Sequence, residues 1–459
     1  MSTATGSVRT SDGSAPPASA EPGAPVGTTR GAPAKTAPDT PARIAPGAPA
    51  GTAPGAPART APSEPQRAAA GSPEFRRMVG VLALGGLGNF ALIYFVQPLL
   101  PRLADAFAIA PGDAGLALSS TTLAMIVGLF VAAPLSDRFG RVSTMAASLV
   151  VAGLAALACA AMPTWGLFLA TRALAGLALA VLPAVALAYL RDRVDPRAHL
   201  LANSLYIAGT ALGGAAGRLA PLPLAQLGGW QLASIVLGAF SILVGILVAV
   251  LLPRDDAPHV SLRIGDLLGG TLSAFRDRVV LAVCAIGLLN MVVFVSLYNA
   301  ISFRLDAPPF SLGSAEALVY LSYLGGIVAP GAFRVVAARF GRGVAATIGA
   351  ALLLVAVAVL ALTSVVAVFV GLAVLTVAFL GTHSILTGWV VDRAARVGRS
   401  TARASSAYLL AFYLGSSIAG TASTQLWALT GWTGIIVVCA VVAVLSGALS
   451  LAMSRRRVA

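Results

Sequence analysis

Two arginines lie inside apolar stretches, where a charge is expensive. Arg172 is about seven residues into one block, and Arg218 is late in the next. A guanidinium in hydrocarbon costs ~2.5–3.5 kcal/mol or more, so such residues are rare and often functional. A fixed cation at that depth can hold an anionic solute group. The alternatives are a bond to backbone carbonyls that ties helices together and, for Arg218, snorkelling to the interface. His383 is the one histidine well inside an apolar block. Its imidazole can carry a proton near neutral pH, or can simply be a packed, hydrogen-bonded ring. Asn89, Tyr94 and Gln97 share one block, and Asn290, Tyr298 and Asn299 share another. Asn89 and Asn290 occupy matching depths and are read as solute contacts, with polar helix packing as the alternative.

The acidic residues fall in the N-terminal region, the loops or the block ends. Asp113 and Glu316 read as matched caps at two block starts. Without a buried carboxylate, Arg172 and Arg218 would give a cavity positive potential and favour an anionic or zwitterionic solute.

The elements that must position these groups are membrane helices. The chain of 459 residues is 58% hydrophobic and 10% charged, against about 25% charged in soluble domains. Its apolar residues come in blocks of about 20, enough to cross a ~30 Å hydrocarbon core. We place twelve spans near 79–100, 114–135, 143–162, 165–189, 199–222, 231–252, 279–302, 315–333, 344–362, 365–390, 404–427 and 432–453. The fold class is an all-α polytopic membrane protein. Its net charge of +14 does not point to nucleic acid, because the arginines gather in alternate loops. That is the positive-inside pattern and puts both termini in the cytoplasm. Cys159, Cys284 and Cys439 lie within apolar blocks without metal or disulfide spacing. They read as small core residues. No metal or other cofactor is expected. Residues 1–74, rich in Ala, Pro and Gly, read as a disordered cytoplasmic tail.

The chain is also duplicated. Arg138-Phe139-Gly140-Arg141 recurs as Arg339-Phe340-Gly341-Arg342. Ser204, Tyr206, Leu212 and Gly213 return as Ser406, Tyr408, Leu414 and Gly415, and Gly229-Trp230 as Gly431-Trp432. The near-constant offset predicts two pseudo-symmetric six-helix halves, 75–252 and 279–459, joined by a cytoplasmic loop at 253–278. The copies are unequal, since Ala338 stands where the first has Asp137. Gly209, Gly213 and Gly217 share one helix face and allow close helix approach.

The loop Pro134-Leu135-Ser136-Asp137-Arg138-Phe139-Gly140-Arg141, between spans two and three, resembles the signature loop of the major facilitator superfamily. It departs from the pattern at Ala133 and Val142. Arg172-Ala173-Leu174-Ala175-Gly176 is similar to the family's span-four motif with its glutamine lost. Within the family the chain looks most like bacterial sugar-efflux and drug:proton antiporters. Span five lacks the proline of the antiporter motif. The resemblance implies alternating-access transport of a small solute across the inner cell membrane, by a monomer, with export driven by the proton gradient. It implies a gating latch at Asp137, Arg138, Gly140 and Arg141, and a relay or solute role for Arg172. Solute uptake, uniport, or a transporter-like sensor are the alternatives. Nothing in the sequence reads as an enzyme.

Overall fold

The computed structural model describes residues 67–254 and 264–455. Most of the N-terminal tail, part of the central loop with Arg263, and Arg456 and Arg457 lie outside the described residues. Within them the chain is helical throughout, with one isolated β-bridge. Spans one to four are Pro73–Ala106, Pro111–Phe139, Arg141–Ala160 and Trp165–Arg193. Span five is His199–Leu219, continuing past Pro221 to residue 227, and span six is 230–251. Spans seven to ten are Arg278–Asp306, Glu316–Phe340, Arg342–Leu360 and Val365–Arg396. Spans eleven and twelve, 401–430 and 432–455, form one helical stretch broken at Gly431.

That last stretch has 55 residues, which as a single rod would measure about 80 Å. It reverses instead. Gly415 abuts Leu288 and Ser446 bonds Asn290, so both arms reach the same depth on span seven. The reversal uses Gly431 at φ 63°, and its repeat partner Gly229 makes the same turn at φ 70°. The cassette glycines behave alike. Gly140 and Gly341 join spans at φ 82°, ψ 151° and φ 90°, ψ 158°, a region open essentially to glycine alone. The repeated glycines are therefore the points where the duplicated chain turns.

Each cassette ends in an ion pair. Arg141 pairs with Asp192 at the end of span four, and Arg342 pairs with Asp392 at the end of span ten. These carboxylates sit 200 positions apart, a match that the repeat already contained. Asp137, the expected latch, makes no ion pair among the described residues.

Two expectations change. Residues 67–74 are not part of a disordered tail. Ala68 is buried, its N–H donates to the Arg193 carbonyl at 2.9 Å, and its carbonyl accepts from Asp195 N–H at 3.0 Å. Satisfying both backbone groups ties the chain down ahead of span one. The central segment is not plain loop either, because Ile264–Ala274 is helical.

Asp277 then caps span seven, accepting from Val279 N–H at 2.8 Å, and takes a 2.9 Å bond from Arg393 on span ten. Burial alone would raise its pKa. The Arg393 bond and the two backbone N–H groups outweigh that and hold it below the usual carboxylate value. A depressed pKa stabilises the fold above the ordinary carboxylate range, and that stability is lost as pH falls through the lowered value. Asp277→Asn keeps a capping oxygen but loses the Arg393 ion pair, and is expected to cost up to about 1 kcal/mol at neutral pH. In thermal unfolding across pH, its melting curve should converge with that of the unaltered chain as the carboxyl protonates.

Candidate functional site

The two buried arginines have opposite surroundings. Arg172 on span four is fully buried and donates to three carbonyls: Leu92 and Ile93 on span one at 3.1 Å each, and Ala117 on span two at 3.3 Å. Its guanidinium also lies over the Phe95 ring at 4.9 Å. Hydrogen bonds from a charged group contribute ~1.5–3 kcal/mol each. Three of them offset the cost of burial, and Arg172 staples three helices.

Arg218 on span five is also fully buried, yet donates only to the Gly214 carbonyl on its own helix, at 2.8 Å. Its Nε and one Nη have no acceptor. Around it stand Tyr94, Tyr298, Tyr323 and Phe294, with ring centroids at 4.3, 4.5, 4.8 and 5.4 Å. Tyr94 belongs to its own half; the other three belong to spans seven and eight. Desolvated cation–π contacts contribute up to ~2 kcal/mol each, so the cage supports the charge without neutralising it. Span eight helps through an unusual winding. Tyr320–Val328 is a 3₁₀ segment, in which residues three apart eclipse, so Tyr320 and Tyr323 share one face.

That face leads to a carboxyl. Glu316 is 4% exposed, accepts no cap bond, and takes a 2.9 Å hydrogen bond from Tyr320. Tyr320 stacks on Tyr298, the nearer wall of the Arg218 cage, at 6.2 Å. The expectation of an acid-free interior and of capping roles is corrected here. Glu316 is a buried acid, and Asp113 accepts from Gln425 of the other half instead of capping. Helix-start position predicted solvation, but helix packing buried Glu316.

The seam between halves is polar. Gln97 donates to Asn299 at 2.8 Å, and Asn299 donates to the Gly420 carbonyl and Ser423. Gln97 and Asn299 lie on spans one and seven, the corresponding spans of the two halves, so this bond joins the halves. Ser119 and Thr122 meet Ser417, and Thr424 reaches the Gly112 carbonyl. Every hydrogen bond between the halves among the described residues lies on the face away from the cassettes. Gly209, Gly213 and Gly217 let span five touch span one. A Cβ at each would fall within 2.3–2.6 Å of the Ala83, Leu87 and Ala91 carbonyls.

The other candidates stay within one half. Asn290 accepts from Ser446 of span twelve at 2.6 Å. Asn89 is buried with both amide atoms unpartnered. His383 bonds Tyr408 at 2.8 Å and packs on Phe379 and Phe412. Residue by residue, the sequence singles out Tyr94 and Tyr298 but not Phe294, Tyr320 or Tyr323, and Glu316 reads as a cap. The available signal was four aromatics, Phe294, Tyr298, Tyr320 and Tyr323, in neighbouring spans.

A sequence model of the Major Facilitator Superfamily matches residues 82–420. The chain belongs to the major facilitator superfamily. Its relatives include the inner membrane transport protein YnfM of Escherichia coli (strain K12), 33% identical across 82% of this chain and 91% of that protein. Another is the uncharacterised MFS-type transporter YybF of Bacillus subtilis (strain 168), 31% identical across 80% and 90%. Among solved structures, a bacterial homologue of the human lysosomal transporter Spinster, inward-facing and unoccupied, superposes with a TM-score of 0.66 at 14% identity, covering 84% of this chain and 98% of that one. The nucleoside transporter NupG also superposes at 0.66 and 14% identity, covering 82% and 99%. This major facilitator chain is thus a multi-pass membrane transporter of twelve helices.

Losing the Arg172 staple removes three charged hydrogen bonds that tie spans one, two and four together. Arg172→Met is expected to lower stability by about 3 kcal/mol or more, read as a fall in thermal unfolding temperature in detergent.

Proposed function

We propose that the protein exports a small anionic or zwitterionic solute across the inner cell membrane in exchange for protons. The observation that carries this reading is Arg218: a buried cation at the seam, with open donors and no carboxylate. Aromatic faces hold it while the halves are closed there. When they part on that face, Tyr298, Tyr323 and Phe294 leave with the second half, and the guanidinium is free to take an anionic group. The arginine-rich loops place the cassette face, and both termini, in the cytoplasm. The described seam is then closed outside, and the state is open inward.

Glu316 supplies the exchangeable proton in this reading. It faces Tyr320, with Asp306 and Arg102 as the charges near it. Protonated, it rests in the closed seam; opening gives it access to outside water. Arg218 and Glu316, linked through Tyr320 and Tyr298, would feel each other's charge. Asp137 waits unpaired on the open face, as a latch does when its closed state is absent. His383, bonded to Tyr408, and unpartnered Asn89 supply polar groups further in.

Reconstituted vesicles with an imposed proton gradient test this. Arg218→Gln is expected to cut transport of anionic solutes at least about tenfold, with Arg218→Lys partly active. Glu316→Gln should abolish the response to the gradient yet keep solute exchange without one. Cationic dye export that survives Arg218→Ala would overturn the charge assignment. Gradient-driven transport intact in Glu316→Gln would overturn the coupling assignment.

A further inference from the structure

The two halves differ at their cassette faces in a way that neither the duplication nor the transport reading explains. In the first half, the crevice between the ends of spans four and five is filled. Ala68 enters it and bridges Val194, exchanging backbone bonds with Arg193 and Asp195. The equivalent place in the second half lies between the ends of spans ten and eleven. There the preceding segment is the helix Ile264–Ala274, which packs on Arg403 through Gly270 and borders a pocket of about 420 Å³.

Three arginines line that pocket: Arg276, Arg399 and Arg403. None has an ion pair or side-chain hydrogen bond among the described residues. The one carboxylate in the lining, Asp277, is already bound to Arg393 and to the start of span seven. Arg403 lies flat along the helix because residue 270 is glycine, where a Cβ would stand 2.4 Å from its Nε. Ser400 adds a hydroxyl donor at the rim, while the Ser273 hydroxyl donates to the Gly270 carbonyl. The pocket therefore gathers three guanidinium groups that are uncompensated among the described residues, beside the start of span eleven, at the level where the spans leave the membrane.

We propose that this pocket binds a phosphate group, delivered by the headgroup of an anionic phospholipid. Guanidinium forks match phosphate oxygens bidentately, and basic pockets at the ends of membrane helices hold anionic headgroups. A bound headgroup would bridge the central helix to spans ten and eleven. The inference is independent of what the protein transports.

The test uses the purified full chain and short-chain phosphatidylglycerol, with short-chain phosphatidylcholine for comparison and inorganic phosphate as competitor. Phosphatidylglycerol should bind more tightly than phosphatidylcholine. The pair Arg399→Gln and Arg403→Gln should weaken it about twenty-five-fold, from a contribution of about fivefold per arginine. Arg276→Gln should weaken it about fivefold. Arg399→Lys with Arg403→Lys keeps the charge and should retain most binding, which separates charge from folding. Arg191→Gln with Arg197→Gln makes the same charge change at the filled crevice and should have little effect. Competition by millimolar phosphate would make the ligand a soluble phosphate compound; no competition assigns it to the lipid leaflet. Equal binding of the two lipids, or equal losses in the two glutamine pairs, would overturn the site.

Discussion

Inside a bilayer no water waits for a polar group, so each buried donor or charge must find its partner within the bundle. This constraint orders the whole molecule. It explains why span five runs glycine-first against the carbonyls of span one, close enough to pack backbone on backbone. It explains why Arg172 reaches three carbonyls on two other helices, and why Gln97 and Asn299 meet between the halves. A dozen buried residues nevertheless keep a polar atom open; among them Arg218 keeps two donors and Asn89 its whole amide. In the proposed function, the Arg218 cation is where the solute acts.

The repeat supplies the frame, and differences between its copies supply direction. Glycines at matching positions turn the chain, and cassette arginines pair with matching carboxylates. The Arg218 cage has no such symmetry. The position equivalent to Arg218 in span eleven is Gly420, which carries no charge and instead takes Asn299's bond. One half brings the cation and the other brings most of the rings and the acid. The seam is consequently a contact between unlike surfaces.

Much was legible in the residues because periodicity and duplication are local, additive signals. Twelve apolar blocks of membrane length, a repeat at a near-constant offset, and loops sorted by arginine predict a twelve-helix bundle in two halves. The superfamily match agrees with that reading. The spacing of Gly209, Gly213 and Gly217 signals a close helix contact without naming its partner. Several helices, such as Pro73–Ala106 and Trp165–Arg193, run past the hydrocarbon beyond the apolar blocks that predict them. Residues 67–74 were misassigned because a single backbone bridge to Val194 leaves no trace in composition.

The sequence by itself determined the architecture: span count, halves, turning glycines and the presence of costly charges. Only the tertiary structure decided what those charges do. Arg172 and Arg218 have the same side chain in similar apolar contexts, yet one is saturated by carbonyls and the other is left open within aromatic faces. Glu316 begins a helix, a position that usually means water, and packing against a second helix layer buries it on Tyr320. The physical reason is that the energy of a buried charge depends on the few groups within about 5 Å, and those groups come from segments up to hundreds of residues away in the chain.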